Sequence, residues 1–205
     1  VRPIPSGVYE VNDALERDLR HSPVREHASN LGGLIAREIA REAGARAFIA
    51  DPVVVDELQP VARVCGLPGA ERISIFHALN QKAIARAYAK KVGRKYEEMN
   101  LVVAHLGGGI SVGAHRLGEV IDVNNALDGD GPLSPERAGS IPSATLADLC
   151  FSGRYTRAEV EKMLCGRGGL VALLGTNDTR EAVSRLERGD EKARIAMEAM
   201  CYGVA

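Results

Sequence analysis

Apolar residues recur at helical spacing between Ala28 and Ala43, at Leu31, Leu34, Ile35, Ile39 and Ala43. They predict a helix that Ser29 or Asn30 can cap and Gly44 can end. Ala47-Phe48-Ile49-Ala50 reads as a short buried strand that stops at Asp51-Pro52, and a second helix is predicted from Ala78 to Val92, ending at Gly93. The pattern then changes period. Asn100 to Leu106, Ile110 to His115 and Glu119 to Val123 each read as strands, separated by Gly107-Gly108-Gly109 and by a tight turn at Arg116-Leu117-Gly118. Connections this short permit only antiparallel neighbours, so the three strands form a meander. From Ser143 onward the pattern is helical again, over 144–151, 157–164, 178–188 and 190–205. Strands early and helices late give an α/β class, or α+β in the looser sense.

Composition adds mainly exclusions. Of the 205 residues, 45 % are hydrophobic and 26 % charged, which rules out disorder and fibrous repeats. Lys plus Arg number 26 against 27 Asp plus Glu, a formal charge of −1, so nothing in bulk attracts nucleic acid or an anionic membrane. Aromatic residues are 4 % with no Trp, which argues against base-stacking platforms. No apolar run approaches the ~20 residues of a membrane span, and no basic-then-apolar leader opens the chain. A cytoplasmic protein with neither membrane nor nucleic-acid partner is therefore expected. Cys65, Cys150, Cys165 and Cys201 form no CxxC pair and have no His at zinc-finger spacing, so reduced and partly buried thiols are expected. The chain opens on Val1 rather than Met and closes at Ala205 inside a periodic run, as a piece of a longer protein would.

Candidate chemistry collects at element boundaries. Each glycine of Gly107-Gly108-Gly109 costs about 0.5–1 kcal/mol relative to Ala, so the turn needs either positive φ or close backbone approach. It is either a tight hairpin or a nest of N–H groups that holds a phosphate. The dinucleotide fingerprint fails at Val112, where a third Gly is required, and the phosphate-loop pattern lacks its Gly-Lys pair. Asp51, between a strand and Pro52, is either a carboxylate facing a ligand crevice or a turn residue. His27, His77 and His105 sit at or beside element boundaries, where function concentrates, and each could equally be a satisfied structural histidine. Arg137 lies in the Gly-, Pro- and Asp-rich stretch from Asp128 to Gly139. Its guanidinium can fork onto a carboxylate or phosphate, or pair on the surface with Asp128, Asp130 or Glu136.

The run His105 to Ser111, followed by Asp122 to Gly139, resembles the acetokinase family. Glu26 to Gly32, Asp51 to Leu58, Ser74 to Gln81 and Gly175 to Arg180 resemble it too, in family order and over nearly the whole chain. Around His77 and Arg137 the residues are more similar to the family's butyrate kinases than to its acetate kinases. The resemblance implies the actin-like, ribonuclease-H-like fold of sugar kinases and heat-shock chaperone ATPases, here incomplete. Residues 1–52 would be the C-terminal part of a first domain and residues 53–205 the N-terminal part of a second. It further implies ATP/ADP and Mg2+ as cofactors, a short-chain carboxylate (most closely butyrate) as substrate, an acyl phosphate as product, and a homo-oligomer for the intact protein.

By the same resemblance His77, Arg137 and Asp51 are catalytic and His27 supports them. His105, Leu106, Gly107, Gly108 and Gly109 form a phosphate loop, and Asp178, Thr179 and Arg180 lie near the nucleotide sugar. No residue is singled out as a metal ligand. The family's first phosphate loop and a substrate-binding Arg would precede Val1. Its adenine-binding segment and a metal-associated Glu would follow Ala205, so residues 1–205 alone are expected to be inactive. Two other readings stay open at this point: a non-catalytic nucleotide- or phosphate-binding module, and an interaction domain whose glycine turn is purely structural.

Overall fold

In the computed structural model the described residues are 2–21, 29–127 and 130–205, so His27 and Asp128, both candidates above, lie outside them. Contacts gather into two compact units, Val1–Leu101 with Ala114–Asp122, and Val102–Gly113 with Val123–Ala205.

The first unit opens with strand Val8–Glu10 (β1) and helices Asp13–His21 (α1) and Asn30–Glu42 (α2), then strand Phe48–Ala50 (β2), which pairs antiparallel with β1. Val11, Leu19, Ala40 and Ala47 are buried together, with Leu34 and Ile49 packed against them. Gly33 lets α2 lie close to α1, since a Cβ there would sit 2.7 Å from Leu19 Cδ1. Ser29 occupies the cap position of α2 without a capping bond, contrary to expectation, while Gly44 ends the helix at φ 63° as expected. Next come Pro60–Arg63 (α3), Ala78–Lys91 (α4) and a 3-10 turn at Tyr96–Glu98.

The meander has strands Asn100–Leu106 (β3), Ile110–Arg116 (β4) and Glu119–Val123 (β5), in the order β3-β4-β5. Its second turn places Leu117 at φ 51° and Gly118 at φ 93°, the positive pair that a two-residue hairpin requires. The second unit continues through Ser143–Phe151 (α5), Arg157–Leu164 (α6), Gly169–Leu174 (α7), Thr179–Glu187 (α8) and Glu191–Val204 (α9). Leu170, Ala182 and Ala196 form its core, with Leu133, Leu174 and Met197 against them. The four thiols are free, but Cys65, Cys150 and Cys201 are exposed rather than partly buried. No helix among the described residues is long and apolar enough to cross a membrane.

A polar network fills the centre of the first unit. Gln81 and Lys82, neighbours on α4, are 0 % and 1 % exposed. Lys82 Nζ lies 2.8 Å from Glu57 Oε2 and donates to Gly118 O at 3.0 Å, while Val120 N–H donates to the same Glu57 oxygen at 2.8 Å. His115 Nε2 bonds Gln81 Oε1 at 2.9 Å, and Tyr96 Oη lies 2.7 Å from His115 Nδ1. With Gln81 accepting, the imidazole is neutral, protonated at Nε2, and takes the Tyr96 proton at Nδ1. Burial, reinforced by the nearby Lys82 charge, pushes its pKa down to about 4.

Protonation of His115 is thus easier in the unfolded chain than in the folded one. Between about pH 6.5 and about pH 4 the unfolded state binds more protons, so stability falls as pH drops through that window. The loss attributable to His115 is expected to reach about 3 kcal/mol. Denaturant titrations at several pH values check this: His115→Asn should flatten the slope in that window, and an unchanged slope would refute the assignment.

Candidate active site

The glycine hairpin joins an apolar strand, β3, to the buried start of β4. None of Gly107, Gly108 and Gly109 has positive φ, so close approach, not backbone handedness, explains Gly107 and Gly109, while Gly108 has room for a Cβ. A Cβ on residue 109 would fall on Arg137 Nη1, with Arg137 Cζ at 2.8 Å and Ala126 O at 3.2 Å. At residue 107 it would lie 2.9 Å from His105 Nε2. Burial lowers the pKa of His105, which keeps this imidazole neutral near pH 7. The N–H groups of the three glycines donate to no acceptor among the described residues.

Arg137 is brought to Gly109 by a loop pinned at many points. Ser134 Oγ donates to Gly108 O at 2.7 Å, and Glu136 N–H donates to the same carbonyl at 3.3 Å. Ser134 N–H donates to Arg137 O at 3.0 Å, and Ala138 N–H to Leu164 O at 3.0 Å. Arg137 Nε is buried without a hydrogen-bond partner. The surface-pair alternative finds no support among the described residues: Glu136 Oε1 instead accepts from Asn177 Nδ2 at 2.7 Å, and no carboxylate pairs with Arg137.

Leu106, Gly107 and Gly108 line one side of a cavity of about 890 Å³, and Asn177, Asp178, Thr179 and Arg180 line another, with Met197 and Met200 supplying apolar wall. Asp178 caps α8 by accepting from Arg180 N–H at 2.9 Å, and it also holds the Arg180 guanidinium at 2.8 Å. The Arg180 hydrogen bonds bring its pKa down to about 2, so it is ionised at all ordinary pH values. Free N–H donors, an apolar wall and a polar rim in one space of that size fit a nucleotide.

In the first unit, Asp51 and His77 line a second cavity, of about 610 Å³, largely apolar and bordered by Leu19, Phe48, Val54 and Leu79. His77 stands at the cap of α4 with φ −82° and ψ 62°, outside the helical region. Asp51 follows β2 with φ 38°, a conformation unfavourable to a residue with a Cβ, and is 6 % exposed. Its Oδ1 accepts from Ser6 Oγ at 2.6 Å and from Gly7 N–H at 2.9 Å, and its Oδ2 faces Arg86 Nη1 at 3.4 Å. Asp51 and His77 thus share one unit, while Arg137, the hairpin and residues 178–180 share the other. Asn30, on the wall beside His77, and Ser6, behind Asp51, were not among the sequence candidates. The polar run Ser29-Asn30 before an apolar helix read simply as a cap.

The glycine hairpin, the arginine laid on it and the cavity of about 890 Å³ thus share one unit of an α/β protein. The profile of the acetokinase family matches residues 71–205, and the chain belongs to that family. A "Probable butyrate kinase" of Phocaeicola vulgatus is 58 % identical over 205 residues, covering all of this chain and 58 % of its own length. The chain thus spans little more than half of that curated relative. Among solved structures, Porphyromonas gingivalis acetate kinase superposes with a TM-score of 0.80 at 21 % identity, covering 97 % of this chain and 53 % of its own. A propionate kinase from Francisella tularensis gives 0.79 at 22 %, covering 99 % and 56 %. The fold of this chain is theirs.

Glycines at this site differ in what surrounds them, and substitutions should separate them. Gly169 has φ 61°, and a Cβ there would fall on the Ser134 carbonyl, so Gly169→Ala is expected to cost about 2–4 kcal/mol. At Gly108 a Cβ would meet only the Glu136 carboxyl group, no closer than 3.5 Å, so Gly108→Ala should stay within about 0.5 kcal/mol. Denaturant midpoints measure both, and equal losses would contradict the close-approach account.

Proposed function

We propose that this chain carries the central part of a butyrate kinase, which moves a phosphoryl group reversibly between ATP and the carboxylate of a short-chain fatty acid. The observation that carries the reading is the Gly109–Arg137 contact, where unpaired N–H donors and an Arg with a buried, unpartnered Nε meet beside a nucleotide-sized cavity. The choice of butyrate rests on the printed name of the 58 % identical relative.

Bound Mg2+-ATP supplies the transferable phosphoryl group and part of the neutralisation of its charge. Everything else falls to residues. Gly107, Gly108 and Gly109 offer main-chain donors to phosphate oxygens, with His105 and Leu106 leading into the loop. Asp178, Thr179 and Arg180 offer hydrogen bonds to the sugar. Arg137 presents a planar pair of donors to the charge that builds on the phosphoryl oxygens in the transition state, and His77 donates one more from either protonation state. A carboxylate substrate is already anionic, so no residue has to remove a proton from it. Asp51 is accordingly an organiser rather than a base, and His27 keeps a supporting role. Among the described residues no three His, Cys, Asp or Glu side chains gather to hold a metal ion. Mg2+ keeps several waters and binds through phosphates with one or two carboxylates, so no residue is assigned to it.

Full-length protein incubated with ATP, hydroxylamine and a panel of acetate, propionate, butyrate and branched acids tests the proposal through the hydroxamate trapped from the acyl phosphate. The largest kcat/KM is expected with butyrate, although one methylene discriminates by only ~1–3 kcal/mol. Absence of hydroxamate with every acid, while ADP still raises Tm, would favour a non-catalytic binding module. Arg137→Ala is expected to lower kcat by about 10²–10³, with Lys restoring only part. Gly109→Ala should approach the same loss while still folding, because it displaces the flexible end of Arg137. Near-native turnover in both variants would remove Arg137 from the chemistry.

A further inference from the structure

We propose that Ser6 is a positioning residue for Asp51, held in place by Glu57 and its ion-pair partner, the buried Lys82. The inference rests on the role given to Asp51 above. Its basis is a chain of contacts inside the first unit that the reaction itself does not explain. Ser6 Oγ donates to Asp51 Oδ1 at 2.6 Å, the shortest hydrogen bond that this carboxylate makes, and Gly7 N–H adds a second donor to the same oxygen at 2.9 Å. Asp51 N–H returns a bond to Gly7 O at 2.9 Å. The carboxylate is therefore oriented through Oδ1, while Oδ2 has the longer 3.4 Å contact with Arg86.

Ser6 is itself fixed from behind. Its N–H donates to Glu57 Oε1 at 3.3 Å, and Lys82 Nζ donates to that same oxygen at 3.0 Å. Lys82 is 1 % exposed and is anchored to the β4–β5 turn through Gly118 O. A backbone at φ 38° is costly for Asp and persists only where its surroundings determine it. The Ser6-Gly7 clamp is that surrounding. Ser6 touches Asp51 rather than the reacting atoms, so its loss should leave nucleotide binding alone and reduce turnover.

The test uses the full-length protein and a steady-state assay of acyl phosphate formation, with ATP varied. Ser6→Ala is expected to lower kcat about 10–100-fold at an unchanged KM for ATP. Ser6→Thr and Ser6→Val, alike in shape and different in the hydroxyl, keep the test valid if the Ala variant does not fold. The Thr variant should exceed the Val variant in kcat by a similar factor. In an Asp51→Asn background the Thr–Val difference should vanish, because the group being positioned is gone. Equal kcat for Thr and Val, with Asp51→Asn strongly impaired, would overturn the role of Ser6 alone. Near-native kcat in Asp51→Asn would instead overturn the role of Asp51, and this inference with it.

Discussion

The backbone of Gly109 and the guanidinium of Arg137 share a space that one Cβ would fill, and the surrounding loop of the second unit is built around that contact. Ser134 is the hub. Its hydroxyl holds Gly108 O, its N–H holds Arg137 O, and its carbonyl accepts the N–H of Leu170 at the start of α7. That helix can begin there only because residue 169 lacks a side chain. Gly139 closes the same loop, since a Cβ on it would lie 2.5 Å from Leu133 N. The glycines at 131 and 139 are thus a packing requirement: backbone must run against backbone to bring one Arg to one hairpin.

The first unit is organised by charge rather than by glycine. Removing Lys82 and most of Glu57 from water is expensive, and a largely buried pair of this kind rarely raises stability above that of well-packed apolar residues. What it does supply is definition. Glu57 takes donors from Ser6, Lys82 and Val120, so it fixes the segment behind Asp51, helix α4 and strand β5 relative to one another. Breaking such a pair by deleting one partner typically costs about 3–5 kcal/mol, because the other charge is stranded. Beside it, the Gln81–His115–Tyr96 chain satisfies every polar tip that α4 and β4 bury there, which is why a helix carrying Gln and Lys on its inner face can pack at all.

Much of the fold was legible where periodicity was strong. The meander falls at 100–106, 110–116 and 119–123, and α6 at 157–164, because apolar alternation, Gly turns and a Thr156–Glu159 capping box all act locally. Strand β1 was not legible: three residues, Val8–Glu10, carry no period, and only pairing with β2 defines them. Helix α1 reads as mostly charged, DALERDLRH, with Leu19 alone fully buried, so its apolar stripe was too thin to see. Helix α7 begins on a glycine at positive φ, which in sequence looks like a break. At the site, the glycine run and Arg137 announced themselves by composition. The partners of Asp51 did not, because Ser6 and Arg86 are 45 and 35 residues away and nothing local marks them.

The protonation states of the candidate nucleotide site are set so that one charge pattern holds across the neutral range. His105 is neutral because burial lowers its pKa, and Asp178 is ionised because Arg180 stabilises its charge. Main-chain N–H groups do not titrate, and an Arg stays cationic throughout. A site that had to deprotonate a hydroxyl would need a group poised near pH 7. A site that only has to bring two anions together needs fixed donors instead, and needs them where charge develops. Main-chain N–H groups of the glycine hairpin and a guanidinium with no carboxylate partner among the described residues are fixed donors of that second kind. Among the described residues no carboxylate pairs with Arg137 and its buried Nε has no hydrogen-bond partner, an arrangement that suits a guanidinium meant for an incoming anion.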